Sequence, residues 1–153
     1  SKMIESAIKI LKGEKIIDQS DIDIDIGIYG FIPEDIIPQA ELRLSIYKEI
    51  SSIKENTSLE QNKKDFIDRF GNVTSEIINL YELSKLKNIS RKLNILSIKY
   101  RDESFSLKLA DNSRLIPPSS KIREIKVSAK NIKNDRLTFI MAKLESFLDK
   151  NEI

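Results

Sequence analysis

The chain has 153 residues, 26 basic and 24 acidic side chains for a formal charge of +2, 40% apolar residues, and neither cysteine nor histidine. Without those two residue types it has no thiol nucleophile, zinc site, haem attachment, imidazole base or histidine-relayed triad, which leaves carboxylate pairs, Lys, Tyr or an oxygen-ligated Mg²⁺ or Ca²⁺ as the means of catalysis. A chain of this length buries roughly 68–70% of its unfolded surface, enough for a core without staples. No apolar run approaches the ~18 residues of a membrane span, and no apolar stretch of signal-peptide type opens the chain, so the expectation is a cytoplasmic protein with no membrane partner.

Met3, Ile4, Ala7, Ile8 and Leu11 recur at helical spacing ahead of Gly13. They predict a short amphipathic helix, and residues 1–20 read as a lead-in helix and linker from the preceding part of a longer protein. Asp21-Ile22-Asp23-Ile24-Asp25-Ile26 alternates strictly and predicts a strand to Ile28, with the isoleucines on one face and the aspartates wet. The aspartates imitate the start of an EF-hand loop, but Ile26 stands where its glycine belongs and Ile32 where its bidentate Glu belongs. Pro33 and Pro38 bracket a loop before a helix striped by Leu42, Ile46, Tyr47, Ile50 and Ile53.

Thr57-Ser58-Leu59-Glu60 reads as a capping box opening a second helix, with Leu59, Phe66, Ile67 and Phe70 inward and a stop at Gly71. A third helix, Thr74 to Leu93, is apolar on more than one face and should be central. The period then falls to two. Ile95 to Tyr100, a tight Asp102-Glu103 turn, and Phe105, Leu107 and Leu109 predict a hairpin. Pro117-Pro118 breaks the chain, Ile122 to Val127 alternates again, and Leu137, Ile140, Met141, Leu144 and Leu148 mark a closing helix. The expected fold is α+β: several helices in the N-terminal two-thirds packed with a small, mainly antiparallel sheet, forming one globular body over residues 21–153.

Only four glycines are present and no G-x-x-x-x-G-K-[ST] occurs, so the chain lacks a phosphate-cradling loop. Asp68-Arg69-Phe70-Gly71 is not a kinase DFG, since Arg intervenes and the companion motifs are missing. Asp65 and Asp68 share one helix face with Arg69, four residues after Asp65 and able to pair with it; by spacing alone they read as a solvated helix end. Charge is uneven, with a net −5 over residues 1–60 and +10 over residues 85–143. The basic stretch makes a nucleic-acid-binding module the alternative reading, through Lys85, Lys87, Arg91, Lys92, Lys99 and Arg101. Single-strand binding normally adds stacking aromatics, and Tyr100, Phe105 and Phe139 are the ones this stretch offers.

Phe31-Ile32-Pro33-Glu34-Asp35-Ile36-Ile37-Pro38, then Leu42-Arg43-Leu44 with Tyr47-Lys48, then Asp65-Phe66-Ile67-Asp68-Arg69-Phe70-Gly71, and Leu83-x-x-Leu86 leading to Leu93-Asn94-Ile95 together resemble the C-terminal domain of the bacterial transcription-repair coupling factors, the Mfd family. The resemblance implies a domain without catalytic activity or cofactor of its own. It would belong to a larger DNA translocase whose motor domains use ATP and Mg, and which engages double-stranded DNA, displaces stalled RNA polymerase and recruits UvrA. It also implies an autoinhibitory latch that docks on the N-terminal UvrB-homology module of the same protein and covers the UvrA-binding surface. Carried onto this sequence, the latch's acidic side chains fall at Asp65 and Asp68, with Arg69 beside them. Leu42, Tyr47, Phe66, Phe70, Tyr81 and Leu86 are assigned to the core.

Overall fold

Among the described residues, the helical and alternating apolar periods of the sequence fall on helices and strands respectively. The computed structural model describes residues 22–71 and 73–151. The strands are β1 (Asp23–Asp25), β2 (Ile95–Arg101), β3 (Ser104–Leu109) and β4 (Glu124–Ser128), and the helices are α1 (Ala40–Ser52), α2 (Asn56–Phe70), α3 (Ser75–Lys92) and α4 (Arg136–Asn151). The fold is α+β, as expected. The predicted lead-in helix and linker lie outside the described residues. The described residues fall into two compact units, one within Tyr29–Asn88 and the other within Asp21–Ile28 and Ile89–Ile153.

The helical unit is built around α3, where Ile77, Leu80, Tyr81, Leu83 and Leu86 are buried together with the polar Ser84, Lys87 and Asn88. Ile46, Tyr47 and Ile50 of α1 and Leu59 and Phe66 of α2 complete its core, with Ile32 and Ile37 from the preceding loop. That loop is pinned by α1. Arg43, almost fully buried, donates from Nη1 to the carbonyls of Ile37 (2.8 Å) and Pro38 (3.0 Å). One turn on, the Tyr47 hydroxyl accepts the Ile32 N–H at 2.8 Å, and burial holds the Tyr47 pKa above its ordinary value. Upstream of Ile32 the chain lies flat on α3, with Phe31 N–H donating to Glu76 O at 3.1 Å. A Cβ on Gly30 would sit 2.3 Å from the Leu80 nitrogen, so a side chain at position 30 would push this segment off the helix.

The ends of α2 differ in how they follow the sequence. Gly71 takes the left-handed C-cap (φ 78°) and donates to Ile67 O at 2.8 Å, as predicted. The capping box does not form: the helix begins at Asn56, with Glu55 at the N-cap and no side-chain cap bond. Glu60 is drawn away to Lys85 on α3, and Asn56 is spent on Lys85 O and Asn88. Tertiary partners have taken the groups that the local motif would have used.

In the second unit the sheet runs β1-β2-β3-β4. It is mixed, because β1 lies parallel to β2 while the other pairs are antiparallel. β1 is shorter than the predicted strand to Ile28, since the Ile26 carbonyl accepts from Arg136 Nη1 of α4 at 2.8 Å and the chain bends at Gly27. The Arg136 guanidinium also lies 4.2 Å from the centre of the Tyr100 ring. Between Ile95 and Ser97 a bulge inserts Leu96, which is 48% exposed, and resets the alternation so that both Ile95 and Ile98 face the core. Phe105 stacks on Phe139 at 6.0 Å, and Leu137, Ile140 and Leu144 of α4 are buried in this unit.

The two residues linking β2 to β3, Asp102 and Glu103, both have positive φ (52° and 59°), the geometry of a type I′ turn that favours glycine at its second position. Glu103→Gly is expected to raise stability by about 0.5–1 kcal/mol, the left-handed strain of ~1–2 kcal/mol less the entropy of the freer unfolded chain, read as a higher midpoint in thermal unfolding. At the start of α4, Asp135 accepts the Thr138 N–H (2.8 Å) and hydroxyl (3.0 Å), and the backbone bond holds its pKa below the ordinary 3.8. Asp135→Ala is expected to lose about 1 kcal/mol at neutral pH. Because the folded pKa is depressed, that difference from wild type persists down to the ordinary carboxyl value and fades as the pH falls through the folded one; urea titrations at several pH values read it directly.

Candidate functional site

The helical period divides α2 into two faces. Leu59 and Phe66 are buried, and Phe66 packs on Phe70 (4.7 Å) and edge-on to Tyr81 (6.3 Å). On the opposite side Gln61, Asp65 and Asp68 are exposed. Helical side chains lean toward the N-terminus, and Asp65 accepts at 3.0 Å from Gln61, one turn before it. Arg69 does not pair with Asp65 as its spacing allows; it lies 4.9 Å from the centre of the half-buried Phe70 ring. Asp68 has neither a hydrogen bond nor an ion pair among the described residues. Among the described residues no cation of the helical unit forms an ion pair with either aspartate, and both carboxylates face solvent.

Beneath them, the Tyr81 hydroxyl donates to Asn62 Oδ1 at 2.6 Å, and Asn62 Nδ2 donates to Glu49 Oε1 on α1 at 3.2 Å. Burial raises the Tyr81 pKa far above its usual value, and the nearby carboxylates of Glu49 and Asp65 add to the rise. The acidic face therefore has a third member. Glu49 lies sixteen positions before Asp65 in an unremarkable polar stretch, and no local pattern in the sequence marks it.

The other flank of α2 is fastened to α3. Lys85 binds Glu60 and lies 3.3 Å from Glu82, and Lys63 is 3.8 Å from Glu82. Hydrogen bonding to Lys85 holds the Glu60 pKa low. Partial burial opposes the charge on Lys85, but Glu60 and Glu82 outweigh it and its pKa is raised. Of the basic residues read as nucleic-acid contacts, Lys85 is thus engaged internally and Lys87 is buried. Arg91, Lys92, Lys99 and Arg101 belong to the other unit. There Lys99 and Arg101 are exposed on the sheet face opposite the core, and Lys99 is in register with Asp25. Among the described residues no helix is long and apolar enough to cross a membrane.

Residues 26–120, which include this helix and the loop pinned by Arg43 and Tyr47, match the TRCF domain. The chain belongs to the TRCF domain family. It is 29% identical over 155 aligned residues to the transcription-repair-coupling factor of Rickettsia typhi, covering 99% of this chain and 14% of that protein. It is 26% identical to the Escherichia coli K12 factor, covering 76% of this chain and 10% of that one. The chain thus spans 14% and 10% of the length of these two curated relatives. Its fold is that of the crystal structure of a C-terminal domain of transcription-repair coupling factor, with a TM-score of 0.69 and 18% identity, covering 86% of this chain and 96% of the other.

In this TRCF domain the acidic face runs against helix energetics, because Asp68 lies in the last turn of α2, where the macrodipole disfavours a negative charge. Asp65→Asn and Asp68→Asn are each expected to change stability by less than about 0.5 kcal/mol, the second toward greater stability, whereas Phe66→Ala should lose about 3–5 kcal/mol. Urea denaturation of the three variants separates the face from the core beneath it.

Proposed function

We propose that this domain is a non-catalytic regulatory element of a DNA-translocating transcription-repair coupling factor, an autoinhibitory latch that docks on the UvrB-homology module of the same protein and masks its UvrA-binding surface. ATP and Mg would be used by the motor domains of that parent protein, which would engage double-stranded DNA, RNA polymerase and UvrA. The observation that carries the reading is the pair Asp65 and Asp68: two exposed carboxylates without an internal cation, on a helix fixed by its opposite flank. Paired carboxylates suit guanidinium groups, which bind them bidentately. A charge that gives its own helix no stability is intelligible if its partner lies on another surface. The names of the relatives support the setting, since each is a coupling factor of which this chain matches a small part.

Calorimetric titration of the domain with the separately expressed UvrB-homology module tests this, using wild type and Asp65→Ala/Asp68→Ala, with circular dichroism confirming that both fold. The double variant is expected to bind about thirtyfold or more weakly, corresponding to ~2 kcal/mol for charge pairs desolvated on docking. Equal binding by both would move the docking site off α2. Absence of wild-type binding at the millimolar concentrations that a tether imposes would overturn the latch.

A further inference from the structure

The sheet of the second unit ends on an open strand. β4 is bonded to β3 on one side and has no strand on the other. Leu109 N–H donates to Arg123 O and Ala129 N–H donates to Glu103 O, both at 2.8 Å, so the odd-numbered residues of this stretch turn their backbone groups toward β3. Successive residues of an antiparallel strand bond to opposite sides, which leaves the N–H and C=O of Glu124, Lys126 and Ser128 directed away from the sheet. Among the described residues none of those backbone groups is hydrogen-bonded, and all three residues are exposed. Ile122, just ahead of the strand, is 57% exposed. The charge of this edge is one-sided. Residues 117–133 contain five basic side chains and one acid, Glu124, and of the five only Arg123 is held by a carboxylate, that of Asp111 at 2.7 Å.

We propose that the free edge of β4 receives an extended acidic segment of another protein, added to the sheet as a further strand. An exposed edge offers alternating donors and acceptors that another strand matches group for group, and the side chains beside it then decide which strand is accepted. Here those side chains are cationic: Lys126 stands at mid-edge, with Lys121 and Lys130 beyond its two ends, all exposed. Directly opposed side chains of neighbouring strands approach closely enough for opposite charges to attract and like charges to repel. A second β4 laid antiparallel over the full strand would set Lys126 against Lys126, so the same lysine that guards the edge against self-pairing favours an acidic partner. Phosphates of a nucleic acid could meet the lysines but have no proton to give the free carbonyls, whereas a peptide strand satisfies both. The surface belongs to the unit that does not contain Asp65 and Asp68, so it stands or falls apart from the latch.

The probe is a capped peptide of alternating glutamate and valine, titrated into the full chain while amide hydrogen exchange is followed by NMR. At saturation the Glu124, Lys126 and Ser128 amides are expected to exchange about tenfold or more slowly, and those of Ile125 and Val127, which already face β3, to change less. Lys126→Pro removes an outward donor without breaking a bond to β3, and Lys126→Glu/Lys130→Glu reverses the charge without touching the backbone. Each is expected to weaken the peptide about tenfold or more, with circular dichroism confirming the fold, and the second variant decides the matter if the first unfolds. No slowing with the peptide, equal slowing with a lysine–valine peptide, or binding that survives the charge reversal overturns the proposal. Protection of the same amides by oligothymidylate instead of the peptide assigns the edge to nucleic acid, and protection that grows with protein concentration alone assigns it to a second copy; either overturns it equally.

Discussion

A buried guanidinium must find acceptors, and Arg43 finds them in the carbonyls of Ile37 and Pro38. Much of the helical unit depends on that demand. Held there, the loop between Pro33 and Pro38 places Ile37 in the core, and Tyr47, one turn further along α1, catches the Ile32 N–H and turns Ile32 in behind it. Removing either partner would leave a buried polar group unsatisfied, which is more damaging than the bond is stabilising. The loop motif and the helix motif that recur together in the family resemblance are thus two halves of one hydrogen-bonded device.

The same logic fixes α2. Its inward face is aromatic packing, and its flank toward α3 is an ionic and amide network through Glu60, Lys85, Asn56 and Asn88. With both held, the remaining side of the helix has little freedom to rearrange. Asp65, Asp68 and the neighbouring Glu49 therefore stand on a helix held by its other sides, and under the proposed docking a partner would not need to order that helix first.

Where apolar residues repeat, the sequence discloses its structure: α3 is central because its isoleucines and leucines surround the helix, and Gly71 ends α2 because it can take a left-handed φ. The misread features are those decided by distant partners. Thr57-x-x-Glu60 has the form of a capping box, yet Glu60 is drawn to Lys85, 25 residues further along the chain. The parallel pairing of β1 with β2 joins residues more than seventy positions apart, and no local pattern encodes it. Leu96 could not be recognised as a bulge, because its apolar character continues the alternation it interrupts. Glu49 joins the acidic face only through Asn62 and the packing of α1 beside α2.

Charge shows the same limit most clearly. A net +10 over residues 85–143 suggests a basic surface, but a sum along the chain does not distinguish charge that reaches solvent from charge consumed inside. Lys85 is consumed by Glu60, Lys87 is buried, and Arg136 is committed to Ile26 O and the Tyr100 ring. On the wet face of the sheet, register sets Asp25 opposite Lys99 and Glu124 opposite Lys108, so acidic residues from outside and within the basic stretch stand beside its lysines. Asp65 and Asp68 are the converse case: two charges that barely register in a sum, on a helix that also carries Lys63, Lys64 and Arg69, yet turned to solvent with no internal partner of opposite sign. What a charged residue can do for a partner is set by what remains after the fold has used it, and on that measure the sparse acidic face offers more than the crowded basic one.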